Sequence, residues 1–124
     1  MGMINSEILY ERFYKFARDC QSLSKILTKT NYNLIYIDQL IRASGSIGAN
    51  YIEALEALSK KDFLHRLKIS RKEAREAIHW LRLIKDSNSE LKVVVDEAIR
   101  LINEAQEIKK ILSASIITLE KNNK

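Results

Sequence analysis

The chain has 124 residues, of which 46% are hydrophobic and 30% charged, and its formal net charge is +5. With no proline and only three glycines, it is expected to form one all-helical domain over residues 1–124, with a core that needs no disulfide or metal. No apolar run approaches the roughly 20 residues that span a bilayer, and the single cysteine, Cys20, cannot form an intrachain disulfide, so we expect an untargeted protein of the reducing cytoplasm.

The first residues of the chain match a short lipidation pattern. Met1, Gly2 and Ser6 stand where N-myristoylation requires methionine, glycine and a hydroxyl residue. Matches to so short a pattern are common by chance, so we expect no lipid at this end.

Apolar residues recur at alternating steps of three and four, which is the spacing of the buried seam in a helical bundle. The pattern predicts four helices, over residues 5–29, 34–58, 60–86 and 90–120. The first seam consists of Leu9, Phe13, Phe16, Cys20, Leu23 and Leu27. The second consists of Leu34, Ile37, Ile41, Ser44, Gly48, Tyr51, Leu55 and Leu58. The third and fourth seams continue in the same way over residues 63–84 and 91–119.

Three short polar links separate these helices. Residues 30–33 are turn-prone, and two serines, Ser59 and Ser87, are each followed three residues later by an acid, Asp62 and Glu90, in the spacing of a capping box. Short links make consecutive helices antiparallel. The sequence therefore predicts an all-α, up-down-up-down antiparallel four-helix bundle.

A polar row interrupts the second helix. Arg42, Ser46, Asn50 and Glu53 recur at steps of four, four and three, so they share one face beside the seam. Two interpretations are open: hydrogen bonds between helices that fix their register, or a row that faces a second subunit or a ligand.

The third helix carries the positive charge. Residues 60–86 contain nine Lys or Arg against four Asp or Glu, a net +5 equal to that of the whole chain. Positions two residues apart on a helix are turned by roughly 200°, which places this basic stripe opposite the seam. Either solvent or a polyanion such as a nucleic acid meets this face. The stripe consists of Lys61, His65, Lys68, Lys72, Arg75, His79 and Arg82.

Three aromatic residues are further candidates for contact with nucleic acid. Tyr10, Tyr14 and Trp80 could stack on unpaired bases, although aromatic residues at the edges of bundles often pack against neighbouring helices or another subunit instead. Both interpretations stay open from the sequence.

Catalytic arrangements fit this chain poorly. Glu76 and His79 have the Glu-x-x-His spacing of di-iron bundles, but the motif occurs once and on the outer face. His65 and His79 are fourteen residues apart, about 21 Å along one helix, so they cannot share a metal within a subunit. Cys20 lies in an apolar seam without a base. We predict no enzyme, no cofactor and no metal.

Residues 39–54, followed by Ser59, Phe63 and Glu73, resemble the bacterial four-helix-bundle proteins associated with intervening sequences of large-subunit ribosomal RNA genes. That family shows an Arg-Ala-x-x-Ser-Ile core, an Asn-Ile-x-Glu-Gly element and a third helix with a Phe that ends in Ser-x-x-Glu. Ala54 stands here in place of the glycine, and residues 70–72 are more basic than the family pattern. The matching motif and interface residues are Arg42, Ser46, Ile47, Asn50, Glu53, Phe63 and Glu73.

The resemblance implies a left-handed bundle that assembles into a ring-like homo-oligomer, a pentamer, with a proposed link to RNA. A similar bundle is the accessory subunit of diversity-generating retroelements, in which a basic ring surface engages nucleic acid. By analogy with these bundles, repetition of a +5 subunit around a ring would strengthen the attraction for phosphates.

Two hypotheses for function follow. In the first, a non-enzymatic homo-oligomer binds RNA or another nucleic acid without strong sequence preference, through phosphates. In the second, a structural or adaptor protein acts through protein contacts alone and has no nucleic-acid ligand. The candidate phosphate-binding residues of the first hypothesis are Lys61, Lys68, Lys72, Arg75 and Arg82.

Overall fold

A computed structural model describes residues 5–122 of the chain, so Met1 and Gly2 of the lipidation pattern lie outside the described range. Residues 5–122 contain four α-helices and no strand. The helices are α1 (Ser6–Ile26), α2 (Asn31–Leu55), α3 (Lys60–Ser87) and α4 (Lys92–Lys121). Each of the three connections has four residues, which is too short for a crossover, so consecutive helices run antiparallel.

The helices pack around a square. α2 contacts α1 and α3, α4 contacts α3 and α1, and in the diagonal pairs α1/α3 and α2/α4 no two Cα atoms lie within 8 Å. The contacts of α3 with α2 and with α4 are the most extensive, whereas those of α1 are the smallest. This arrangement confirms the predicted all-α, up-down-up-down four-helix bundle.

The predicted seam of α1 is buried along its whole length, from Leu9 to Leu27. In α3 and α4 most of the predicted seam is buried as well, although Phe63, Leu91, Ser115 and Leu119 are only partly covered. Small side chains, Ala74, Ala77, Ala98 and Ala105, are among the buried residues of α3 and α4. Alanine at buried positions lets neighbouring helix backbones approach closely.

The predicted seam of α2 was wrong at four positions, which are exposed rather than buried. Leu34, Ile41, Leu55 and Leu58 are 50%, 43%, 44% and 97% exposed. Apolar residues cover most of the circumference of this helix, so their periodicity alone allows more than one buried stripe. Packing of α3 selects the stripe shifted by about one residue. The buried residues of α2 are Asn33, Leu40, Ala43, Ser44, Ile47, Gly48, Tyr51 and Ala54.

Local hydrogen bonds set the helix ends. The Thr30 hydroxyl accepts a bond from the Asn33 backbone N–H at 3.1 Å, so α2 begins at Asn31, three residues before the predicted start. The Ser59 hydroxyl accepts from the Asp62 N–H at 3.0 Å, which confirms that Ser59 caps α3. The predicted cap at Ser87 was wrong, because α3 continues through this residue.

Asn88 ends α3 instead. Its side-chain amide donates to the Ile84 carbonyl at 2.8 Å and so satisfies an acceptor in the last turn. α4 then starts after Leu91, which has no side chain able to cap the helix. The two asparagines at this end of the bundle, Asn33 and Asn88, are 0% and 2% exposed.

Candidate nucleic-acid interface

The five predicted phosphate contacts lie on the exposed side of α3. Lys61, Lys68, Lys72, Arg75 and Arg82 are all exposed. The opposite side of the helix is buried against α2 and α4. The basic stripe therefore forms one outward surface on the helix that has the most extensive packing.

Carboxylates accompany only part of this stripe. The Lys68 ammonium lies 3.0 Å from Glu120 of α4, and that of Lys72 lies 3.9 Å from Glu73. Within residues 5–122, no carboxylate lies within 4.0 Å of Lys61, Arg75 or Arg82. Exposed ion pairs contribute little to stability, so Lys68 can exchange Glu120 for a phosphate at small cost.

The neighbouring helix α4 extends the positive surface. Arg71 donates to the Ser113 hydroxyl at 3.4 Å, and this contact marks the antiparallel register of α3 against α4. Four residues further along α3, and four back along α4, the same register brings Arg75 opposite Lys109. The sequence did not indicate this second cation, because the register of two helices is absent from the pattern of either one.

The polar row of α2 makes its hydrogen bonds within α2 and to α3. Ser46 donates to the Arg42 carbonyl at 2.8 Å, and Asn50 donates to the Ser46 carbonyl at 2.9 Å. Arg66 of α3 donates to the Asn50 side-chain oxygen at 3.2 Å and lies 4.0 Å from the Glu53 carboxylate. These contacts correspond to the interhelical interpretation at Asn50 and Glu53.

Arg66 was missed by the sequence analysis. It lies three residues after Phe63 and seven before Glu73, so it shares the helix face of both family-motif residues. That spacing was the available signal. Phe63 itself is partly buried and packs against the core.

Glu73 sits at the edge between the basic stripe and α2. Its side chain is only 18% exposed. Burial and the neighbouring Glu76 raise the pKa of Glu73, while Lys72 and Arg42 oppose the rise.

The three candidate stacking residues lie in two places. Tyr10 and Tyr14 pair with each other on α1, with ring centroids 6.1 Å apart, and α1 lies diagonally opposite α3. Trp80 instead adjoins the stripe, with its ring centroid 4.8 Å from that of His79. Tyr36 of α2 lies 6.2 Å from Trp80 and was not singled out from the sequence.

Burial separates Cys20 from the other candidate catalytic residues. Cys20 is fully buried, and this burial raises its pKa to about 12, the opposite of what a nucleophile requires. His65, Glu76 and His79 are exposed. Across residues 5–122, no three His, Cys, Asp or Glu side chains are grouped so that they could hold a metal ion. None of the helices in that range is both long enough and apolar enough to cross a membrane.

Comparison with known proteins identifies the family. The sequence model of the 23S rRNA-intervening sequence proteins matches residues 6–114. A crystal structure of a protein of unknown function from the S23 ribosomal protein family of Bacteroides thetaiotaomicron VPI-5482 is similar, with a TM-score of 0.79 and 29% sequence identity over 91% of this chain and 98% of that chain. No curated protein matches. Since the family model covers most of the chain, including the polar row and the basic stripe, the protein belongs to the family of 23S rRNA-intervening sequence proteins.

Proposed function

We propose that this protein binds RNA or another nucleic acid through phosphates that contact the basic stripe of α3. The observation that carries the proposal is a row of exposed cations opposite the core. Three of them, Lys61, Arg75 and Arg82, have no carboxylate within 4.0 Å among the described residues. Cations on an open helix face attract phosphates of any sequence, so we expect little sequence preference.

We further propose that the protein is a ring-like homo-oligomer, a pentamer, as the family resemblance implies. Support comes from four apolar residues exposed along one side of α2, here called the α2 apolar stripe: Leu34, Ile41, Ile52 and Leu55. Gly45 lies among them, four residues after Ile41, and apart from the nearby backbone of α2 no atom of the described residues lies within 4 Å of where its Cβ would stand. A ring would repeat the basic stripe in every subunit and raise the local positive potential.

The experiment measures binding of fluorescently labelled RNA over a range of salt concentrations. Affinity should fall steeply as salt rises, since cations that neutralise phosphates release counterions. The triple variant Lys68→Glu, Lys72→Glu, Arg75→Glu should abolish binding. A matched control, Arg18→Glu, Lys25→Glu, Lys92→Glu, changes three exposed cations outside the stripe by the same total charge.

Retention of binding by the control and its loss in the stripe variant would support the proposal. Equal binding by the stripe variant and the parent would overturn it. Equal loss in both variants would mean that net charge, rather than the stripe, governs the attraction.

A second candidate function is that of an adaptor that acts through protein contacts alone. The α2 apolar stripe favours it, because exposed apolar patches mark sites of protein interaction. An adaptor would show no RNA affinity near physiological salt, and a protein partner would copurify with it. The RNA titration therefore separates the two functions.

A further inference from the structure

Four ring side chains form a continuous row across the α2/α3 groove. Ring centroids of Tyr32 and Tyr36 are 6.0 Å apart, those of Tyr36 and Trp80 are 6.2 Å apart, and those of Trp80 and His79 are 4.8 Å apart. Tyr36 and Trp80 are partly buried and pack against the core, while Tyr32 and His79 at the two ends are exposed. These four residues are called the aromatic row.

The aromatic row joins the basic stripe at one residue. His79 belongs to both, since its ring meets the edge of Trp80 and its position on α3 is four residues after Arg75 and three before Arg82. Neither arginine has a carboxylate within 4.0 Å in the described part of the chain. A nucleic-acid backbone on these arginines would bring its bases to the ring side chains.

From this arrangement we infer that the aromatic row stacks against unpaired bases, so that the preferred ligand is a single-stranded segment of nucleic acid. The inference rests on the proposed phosphate contact with the stripe and adds the ligand class. Aromatic side chains stack on every base, and a duplex hides the base faces that they need. The partly buried Tyr36 and Trp80 are held in place by the core, which spares the cost of ordering them on binding.

The charge beside the row favours nucleic acid over a second copy of the chain as the occupant. Tyr36 and Leu34 are two residues apart on α2, so the aromatic row and the α2 apolar stripe point about 160° apart around the helix. The apolar stripe lies on the far side, whereas the aromatic row ends at His79, where two arginines outnumber the one nearby glutamate, Glu76. A phosphate-bearing ligand complements that neighbourhood, but another basic subunit does not.

Trp80 is the only tryptophan of the chain, so tryptophan fluorescence reports this site alone. The protein is titrated at low salt with oligouridine, with an abasic phosphodiester oligomer of equal length, and with duplex RNA. We expect oligouridine to quench the fluorescence and to bind at least about fivefold more tightly than the abasic oligomer. Equal affinity for the two oligomers would overturn the inference.

Variants locate the contact. Tyr36→Leu and Trp80→Leu should each weaken binding of dye-labelled oligouridine at least about fivefold, with no change in the salt slope, because the phosphate contacts stay. Tyr14→Leu is the matched control, since it removes an exposed tyrosine on α1, outside the row. Tyr36→Phe and Trp80→Phe keep a ring and should retain binding, which guards against misfolding as the cause of a loss.

The outcomes separate this inference from the proposed function. Loss of binding in the stripe variant with full binding in both leucine variants would leave the function standing and refute the stacking contact. A parent protein that binds no oligomer at low salt would refute both. A change of solution mass in the leucine variants would identify the row as a contact between copies and overturn the inference.

Discussion

The side chains of Asn33 and Asn88 donate hydrogen bonds to each other, at 2.9 and 3.0 Å, and so join the start of α2 to the end of α3. Asn33 also donates to the Thr28 carbonyl, and Asn88 to that of Ile84. Both side-chain amides are buried away from water, so each depends on the other for a hydrogen-bond partner. The pair fixes the register of α2 on α3 and ties down the α1–α2 connection.

Asn33→Ala should lower the free energy of unfolding by about 1–3 kcal/mol, because it leaves the buried Asn88 amide without its partner. Urea unfolding measures the effect, and Asn31→Ala, at an exposed neighbouring position, is the control. The double variant Asn33→Leu, Asn88→Leu should lose less stability than the sum of the losses in Asn33→Leu and in Asn88→Leu, since no side-chain amide is left unpaired in it. Additive losses would show that the two side chains act independently.

Stability should fall in acid because of carboxylates around Arg100. Burial opposes ionisation of Asp19, but bonds from Lys15 and Arg100 outweigh it and lower its pKa; the bond from Arg100 also lowers the pKa of Glu97. A lowered folded-state pKa gives stability that is present above the unfolded value and is lost as pH falls through the folded one. The loss should therefore begin near the unfolded-chain pKa values of 3.8 for Asp19 and 4.5 for Glu97 and continue below them.

Arg100→Gln tests this assignment, with urea unfolding measured from neutral pH down to about pH 2.5. The variant should depend less on pH in the acid range, since the pKa values of Asp19 and Glu97 move back toward those of the unfolded chain. Arg18→Gln changes an exposed arginine of α1 that pairs with neither Asp19 nor Glu97, and it should retain the parental slope. If Arg100→Gln kept the parental slope, groups other than Asp19 and Glu97 would be responsible for the loss of stability in acid.

Cys20 should resist thiol reagents in the folded protein. Its side chain is fully buried, and burial raises its pKa to about 12, so little thiolate forms and access is blocked. Reaction with a disulfide reagent should be complete within seconds to minutes in denaturant. In the folded protein it should be no faster than global unfolding. Rapid reaction of the folded protein would mean that α1 opens locally.

Gly45→Arg should lower the solution mass toward the 14.4 kDa of one chain. Within a subunit the Cβ of the new side chain has open space around it. On the α2 apolar stripe the arginine would bring a charge into the proposed contact between copies. Light scattering measures the mass, and Ser22→Arg, on an exposed part of α1, is the control. An unchanged oligomer would remove Gly45 from the interface.

The buried face could be predicted where one helix has one apolar stripe. Phe13, Phe16 and Leu23 of α1 stand out because their flanks are polar, and the structure buries them. On α2, Ile41 and Ile47 are equally apolar, and the positions of the neighbouring helices decide that Ile47 is buried while Ile41 is 43% exposed. Periodicity carries no information about such a choice.

In the candidate site, too, features of a single helix could be predicted, whereas contacts between helices could not. The exposure of Lys72 and Arg75 follows from the repeat of α3 alone, so the sequence predicted it. The contacts of Arg66 with Asn50 and of Trp80 with Tyr36 join two helices, and they depend on an antiparallel register that neither helix encodes by itself.

The square packing gives the basic stripe a rigid base. α3 is clamped by α2 on one side and by α4 on the other, and both contacts are more extensive than any contact of α1. A ligand on its outer face would meet a surface that is already ordered, so the entropic cost of binding would fall almost entirely on the nucleic acid. A flexible single strand would then lose more conformational entropy on binding than a strand that is already bent to the curvature of the helix. Ligand stiffness would therefore affect affinity alongside charge.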